Sequence, residues 1–225
     1  MQHVAPVAAR RRMYIVCPFI EETAGPPRKA RHNVAVVIGR DGEVVKSIAG
    51  HDAYRKSFPV LYGGVDEFGE KGITPSQIGV QAWDLDFGRI SVLICFDVSI
   101  ASPADPLAAS SSLTHRALAQ VNFPELWLDA SALGAEIVIW PSTMSVDFDD
   151  LRLFAQTHRY NIVGCGRPGA VIDIAGATVS PPDNCTALCE SQATLDLDRT
   201  AVFGHDAVNS TCAFIHNRGS VSELS

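Results

Sequence analysis

Short runs of apolar residues, separated by turn residues, make up most of this chain. An Asp-Gly pair separates the run at residues 33–39 from the run at 43–47, and Asp-Phe-Gly separates the run at 80–85 from the run at 89–95. Turn residues between apolar runs predict two β-hairpins at these places. We predict further strands at residues 14–20, 137–141, 160–164 and 170–174, and the unbroken apolar runs among them indicate strands buried on both faces.

Two segments have the spacing of amphipathic helices. In residues 124–133, Leu126, Ala130 and Leu133 recur at helical intervals, and Gly134 follows at a position where helices often end. Residues 149–159 place apolar side chains and His158 along one side of a second helix. Strands that alternate with helices in this way predict an α/β protein with buried sheets.

Composition narrows the class of protein. The chain has 225 residues, of which 47% are hydrophobic and 19% charged, and its net charge is -7. This length predicts one domain, and no apolar run approaches the roughly 18 to 20 residues that cross a bilayer, so we expect no membrane partner. The negative charge argues against a nucleic-acid partner. Six cysteines in a chain with a large apolar core favour a reducing, cytoplasmic location over a disulfide scaffold.

Two residues are candidates for chemistry. Cys95 stands at the carboxyl end of a predicted buried strand, where α/β folds place reactive groups, and Lys56 follows the first hairpin. Neither position is diagnostic by itself, because buried cysteines usually fill space and loop lysines usually face solvent. Their order and the sequence around them make both more informative.

The sequence around these two residues resembles the carbon-nitrogen hydrolase (nitrilase) superfamily, and it does so over most of the chain. The matching stretches are NVAVVIGRDGEVV before YRK, then FGRISVLICFD, FPEL and LGAEIVIWPS, with the more generic IVGCGRPG and TLDLDRT further on. The resemblance implies a four-layer αββα sandwich that assembles into a homo-oligomer. It also implies hydrolysis of non-peptide C-N bonds in small-molecule amides, carbamoyl compounds or nitriles, without a metal or organic cofactor.

The resemblance implies a role for each matching residue. Cys95 is the expected nucleophile, which forms a thioester intermediate, and Lys56 is the expected lysine of a Glu-Lys-Cys triad. Lys56 and the backbone N–H of Phe96 would stabilise the anionic tetrahedral intermediate. A second family glutamate lies between the lysine and the cysteine, where Glu70 matches best and Glu67 is the alternative.

The general-base glutamate of the family has no match in this chain, because the family places it in a Pro-Glu motif well before the lysine. Glu21 and Glu22 are candidates to replace it, although they correspond to a later position in the family pattern. We therefore expect a chain that is truncated at its N-terminus relative to the family. Two functions stay open, a C-N hydrolase and a catalytically inactive member that acts at most as an oligomer partner.

Residues 98–120 interrupt the family pattern. Relatives run from a Cys-Phe-Asp type of motif almost directly into Phe-Pro-Glu, whereas a segment rich in Ser, Ala and Pro intervenes here. Its ends, Val-Ser and Gln, can be encoded by the splice-site codons GTG AGT and CAG, so we interpret it as a retained intron, with a specificity loop as the alternative. We predict a hydrolase domain over residues 1–209 and a divergent tail over residues 210–225.

Three other interpretations are weaker. Residues 164–169 fit G-x-G-x-x-G, but a strand is predicted to follow them, and a dinucleotide site needs a helix there. A papain-like pairing of Cys95 with His158 or His205 is disfavoured, because papain-like cysteines begin a helix. A structural zinc site usually has two close ligand pairs, and one pair is present among Cys185, Cys189, His205 and Cys212.

Overall fold

The computed structural model describes residues 2–23, 30–59, 73–98, 123–142, 148–165 and 169–180, together with positions 193, 195, 197, 214 and 215. Within these residues the elements follow one another in the order of this list: α1 (Ala5–Arg11), β1 (Tyr14–Thr23), β2 (Ala30–Ile38), β3 (Val44–Val45), β4 (Tyr54–Arg55), β5 (Ala82–Leu85), β6 (Gly88–Val92), a 3₁₀ turn (Cys95–Val98), α2 (Phe123–Ala132), β7 (Ile137–Pro141), α3 (Phe148–His158), β8 (Asn161–Cys165), β9 (Ala170–Ile172), β10 (Thr178–Ser180) and β11 (Phe214–Ile215).

The first sheet is antiparallel and has the strand order β11-β1-β2-β3, with β4 also paired to β2. The turn between β2 and β3 is the hairpin that the Asp-Gly pair predicts. Gly42 has a φ of 87° there, a left-handed conformation that glycine adopts without steric cost. The pairing of β4 with β2 places Tyr54 opposite Ala35 and Arg55 opposite Val34, so that Lys56 follows directly from a strand anchored in this sheet.

The second sheet has the strand order β10-β9-β8-β7-β6-β5, with β6, β7 and β8 parallel at its centre. The outer pairings are antiparallel, and the second predicted hairpin joins β5 to β6. In register, Val92 lies opposite Ile139, and Ile139 lies opposite Val163. The carboxyl ends of the three parallel strands therefore meet at one edge of the sheet, and the chain that leaves β6 at this edge leads to Cys95.

The two faces of the first sheet contact different partners. Alternate residues of β2 point to opposite sides, as strand geometry requires, and Val34, Val36 and Ile38 pack in a cluster with Ala8 of α1. Ala35 and Val37 belong instead to the main core, together with buried side chains of the second sheet, α2 and α3. One hydrophobic core thus joins both sheets, which fixes the position of β4 relative to the end of β6.

The α/β fold class is confirmed, whereas the αββα sandwich stays a prediction. The predicted hairpins, the strands at residues 14–20, 137–141, 160–164 and 170–174, and both predicted helices are present with small shifts at their ends. Gly134 follows α2 with a φ of 76°, as expected for a glycine that ends a helix. The predicted strand at residues 89–95 is too long, because β6 ends at Val92 and Cys95 begins a 3₁₀ turn.

Some predictions concern residues outside the described part of the chain. Nearly all of the interrupting segment 98–120 lies there, as do Glu67, Glu70 and the cysteines and histidine of the weak zinc interpretation. Within the predicted tail, residues 214 and 215 are described, and they form β11 against Tyr14 and Ile15 of β1.

Candidate active site

Cys95 occupies a left-handed turn just beyond a buried parallel strand. Its φ is 49°, which is uncommon for a residue other than glycine, and its side chain is half-buried. The indole Nε1 of Trp140, on β7, donates a hydrogen bond of 2.9 Å to the carbonyl oxygen of Cys95. The neighbouring strand therefore holds the backbone of the cysteine in this conformation.

Lys56 is buried, with 1% of its surface exposed. Its backbone N–H donates to the carbonyl of Asn33 on β2 at 2.8 Å, and its carbonyl accepts from the N–H of Ser76 at 3.0 Å. A lysine in this position of the sequence would ordinarily be solvated, so its burial is a finding of the structure. Burying an ammonium group is costly unless its charge has a function or a partner.

Asp97 connects the segment of Lys56 to the turn of Cys95. Its Oδ1 accepts from the backbone N–H groups of Ser57, at 3.1 Å, and Phe58, at 2.9 Å. Its Oδ2 accepts from the hydroxyl of Tyr54, at 2.6 Å, and from the N–H of Ile94, at 3.1 Å. One fully buried carboxylate therefore contacts residues on both sides of the candidate lysine and the residue before the candidate nucleophile.

Burial controls the electrostatics of this carboxylate. It raises the pKa of Asp97 to about 6, although the hydrogen bond from Tyr54 and the nearby charge of Lys56 oppose the shift. Burial and the charge of Asp97 together raise the pKa of Tyr54 well above its ordinary value. Tyr54 therefore keeps its proton and donates it to Asp97 in the 2.6 Å hydrogen bond.

The sequence motifs contain Asp97 and Tyr54, but sequence reasoning assigned neither a role. Two signals could have drawn attention to them. The acidic residue follows an apolar strand directly, where an unpaired charge would be costly, and the tyrosine lies in the same short motif as Lys56. What the sequence does not contain is the pairing between them, which spans more than forty residues of chain and depends on how the two sheets pack.

Glu21 and Glu22, the substitutes considered for the general base, lie near the end of β1 and face arginines. Oε2 of Glu21 accepts from both Nε and a terminal nitrogen of Arg55, each at 2.8 Å. Glu22 lies 3.4 Å from Nε of Arg31 on the adjacent strand. Both carboxylates are therefore engaged in ion pairs on the first sheet.

Of the remaining predicted site residues, the structure describes Phe96 but neither Glu67 nor Glu70. The backbone of Phe96 lies in the 3₁₀ turn between Cys95 and Asp97, and its oxyanion role stays a prediction. Glu70 and its alternative Glu67 lie outside the described residues. His158 is no partner for a nucleophile, because its ring stacks between Phe154 and Tyr160 at centroid distances of 5.9 and 5.8 Å. After Gly164 and Cys165 of β8, the next described element is strand β9, where a dinucleotide site would need a helix.

Neither a metal cluster nor a membrane span is found in the part of the chain that the structure describes. No three His, Cys, Asp or Glu side chains there come close enough together to hold a metal ion. No helix among the same residues has the length and apolar character needed to cross a membrane. The three cysteines described, Cys17, Cys95 and Cys165, are free thiols.

Solved amidase structures share this fold. A mutant of the Nesterenkonia AN1 amidase from the nitrilase superfamily matches with a TM-score of 0.55 and 17% identity, over 78% of this chain and 59% of that chain. A mutant of the same amidase that shows covalent addition of the acetamide moiety of fluoroacetamide at its active-site cysteine matches with a TM-score of 0.55 and 18% identity, over 79% and 59%. A double mutant in complex with acrylamide matches with a TM-score of 0.56 and 17% identity, over 80% and 60%.

These matches define the class of fold. The chain has the α/β fold of the nitrilase superfamily, as its motifs predicted, and it spans about 60% of the length of the amidases it matches. Amidases from Nesterenkonia are among the proteins that it is similar to. No protein-family model matches the sequence, and no curated protein matches it either.

Proposed function

We propose that this chain is a hydrolase of non-peptide C-N bonds in a small molecule, with Cys95 as nucleophile and Lys56 as the stabiliser of the oxyanion. The observation that carries the proposal is the contact made by Asp97, which joins the segment around Lys56 to the turn of Cys95. This contact supports the proposal because it links the neighbours of Lys56 to the residue before Cys95.

The reaction begins with attack of the Cys95 sulfur on the carbonyl carbon of an amide. A sulfur-carbon bond forms, and the electron pair of the carbonyl moves to its oxygen, where Lys56 and the N–H of Phe96 stabilise the negative charge. Collapse of this intermediate breaks the C-N bond, and the amine leaves with the proton that the thiol has given up. Water then hydrolyses the thioester, which yields a carboxylic acid and restores the thiol.

The nucleophile needs a proton acceptor, because only a few per cent of an ordinary cysteine is ionised at neutral pH. In the family a glutamate takes this proton and later activates the water that hydrolyses the thioester. We assign Glu70, or Glu67 in its place, to the orientation of the substrate and of Lys56, as the family resemblance implies.

Small aliphatic amides are the first substrates to test, because the Nesterenkonia amidase was solved with acrylamide and with butyramide. We also propose a homo-oligomer in a reducing, cytoplasmic setting. The free thiols support the setting, and two exposed leucines on adjacent helices, Leu128 of α2 and Leu153 of α3, support the oligomer.

Release of ammonia from butyramide and acrylamide tests the proposed reaction. We expect turnover that falls by about 10⁴-fold or more in Cys95→Ala and in Lys56→Gln, since members of such a site act as a unit. Cys165→Ala is the matched control, because Cys165 is also a half-buried free thiol near the carboxyl edge of the second sheet, and we expect it to keep its turnover. Turnover that survives Cys95→Ala would contradict the proposal.

The inactive family member is the second candidate function, and one observation favours it. Glu21 and Glu22, the glutamates nearest to the family position of the base, face Arg55 and Arg31 in ion pairs. If no other carboxylate serves as base, the chain releases ammonia at the background rate while Cys95 still reacts with electrophiles. That combination of results would assign the chain to the inactive class.

A further inference from the structure

We propose that Asp97 is a positioning residue, whose carboxylate sets the register between the segment that carries Lys56 and the turn that carries Cys95. The inference rests on the proposed function for the roles of those two residues. It adds a residue that acts through them and has no contact with the substrate.

The hydrogen bonds of Asp97 come from two parts of the chain. Tyr54, Ser57 and Phe58 lie 43, 40 and 39 residues away in sequence and surround Lys56, whereas Ile94 lies on the strand exit just before Cys95. Any movement of one part relative to the other would lengthen bonds to the same carboxylate. Asp97 therefore fixes the distance between the two backbone segments and does not merely stabilise one of them.

The hydrogen bonds of Asp97 suit a positioning role better than the role of a general base. A carboxylate offers about four lone-pair sites, and here each oxygen already accepts two hydrogen bonds. The side chain is fully buried, so no water competes for these sites. A general base needs an open lone pair within reach of the proton that it accepts, which distinguishes Asp97 from the glutamate base of the family.

Asp173 is a second buried carboxylate in the same protein, and it accepts hydrogen bonds from its own turn. It is as deeply buried, with 1% exposure, but it accepts from the N–H groups of Ala175, at 2.9 Å, and Ala177, at 2.8 Å, which are two and four residues away. These bonds shape one tight turn between β9 and β10. Asp173→Asn is therefore the matched control for Asp97→Asn. Both variants replace a buried carboxyl group by an amide, and Asp97→Asn is the one that changes contacts to the neighbours of Lys56 and Cys95.

The first experiment measures how fast iodoacetamide alkylates Cys95, with Cys165 of the same sample as internal reference. A nearby cation promotes thiol reactivity, and a displacement of about 1 Å can cost about 100-fold in a positioned reaction. We expect Asp97→Asn to slow the alkylation of Cys95 by about ten-fold or more. In the double variant Asp97→Asn with Lys56→Gln, we expect a rate close to that of Asp97→Asn alone. In the double variant Asp173→Asn with Lys56→Gln, the fold-changes in the alkylation rate should instead multiply, as expected for independent effects.

The second experiment measures amide hydrogen exchange and does not depend on catalysis. Tyr54→Phe removes one donor on the β4 side, and we expect faster exchange in residues 94–97 as well as in residues 54–58. This mild variant also carries the test if Asp97→Asn fails to fold. Faster exchange confined to residues 54–58, or an Asp97→Asn variant that behaves like Asp173→Asn, would overturn the inference.

The two proposals fail in different ways. If Cys95 proved unreactive in the native protein, the proposed function would fall, and the exchange experiment would still decide whether Asp97 couples the two segments. If Cys95 proved reactive and the exchange of residues 94–97 did not respond to Tyr54→Phe, the function would stand and the positioning role would fall.

Discussion

The backbone of Cys95 is strained. A left-handed conformation costs a non-glycine residue about 1 to 2 kcal/mol, and the surrounding contacts, such as the bond from Trp140 to its carbonyl, must compensate for this. Strain at a residue that shares a turn with a buried carboxylate is typical of a functional site. It also allows a direct test of the local geometry.

Replacement of Cys95 by glycine should relieve the strain. We expect Cys95→Gly to have a free energy of unfolding about 1 kcal/mol higher than Cys95→Ala, because glycine adopts positive φ without a steric penalty. Denaturant unfolding of the two variants measures the difference. A Cys95→Gly variant that is less stable than Cys95→Ala would show that the turn is not left-handed in solution.

Asp97 should make stability depend on pH in an unusual direction. Its pKa is raised from the ordinary 3.8 to about 6, so the native state binds the proton more tightly than the unfolded state. The contribution of Asp97 to the free energy of unfolding is therefore fully present below about pH 4 and is lost as the pH rises through about 6. At about 1.4 kcal/mol per pH unit, the whole change is on the order of 3 kcal/mol.

Unfolding in urea at a series of pH values between 4 and 7 measures this dependence. The Asp97→Asn variant cannot titrate, so its stability curve should be flatter than that of the native protein over the same range. Identical curves for the two proteins would show that Asp97 is not protonated near pH 6.

Four aromatic rings from α2, α3 and the residue before β8 form a stack. Trp127 lies 4.7 Å from Phe154, and His158 lies between Phe154 and Tyr160. Burial lowers the pKa of His158, so the neutral ring is favoured in the native state. The helices are thus joined to the sheet through a histidine that should carry no charge.

The stack should weaken in acid. Because the pKa of His158 is lower in the native state than in the unfolded state, its contribution to stability is present at neutral pH and is lost as the pH falls below about 6.5. We expect His158→Phe to remove this part of the pH dependence while it keeps the stack. A thermal-denaturation series from pH 7.5 to 5 measures it, and an unchanged dependence in the variant would contradict the assignment.

Elements with strong local signals could be predicted from the sequence, and those without them could not. The Asp-Gly turn marked the hairpin of β2 and β3, and Gly134 marked the end of α2. α1 was missed because its first turn has no acidic residue and no side chain caps it, while its basic end suggested only a charged patch. β4 is two residues long, and a strand that short is defined by its partner rather than by its own pattern.

The candidate site depends on the packing of the whole molecule. Motif order selects Cys95 and Lys56 as candidates, since both lie in recognisable stretches of sequence. The link through Asp97 and Tyr54 could not be predicted, because it exists only when one core joins the two sheets. Whether the joined segments form a working site is a property of the folded protein that no single motif determines.

Covalent labelling by fluoroacetamide tests the central claim most directly, because it asks whether Cys95 is an activated nucleophile that recognises an amide. The sulfur would form a bond to the methylene carbon as fluoride leaves, and peptide mapping by mass spectrometry would locate the acetamide group. We predict labelling at Cys95 that is much faster than at Cys17 or Cys165 and that is slowed by Lys56→Gln. Equal labelling rates at the three thiols would contradict the account, and so would a labelling rate at Cys95 that is the same in the Lys56→Gln variant.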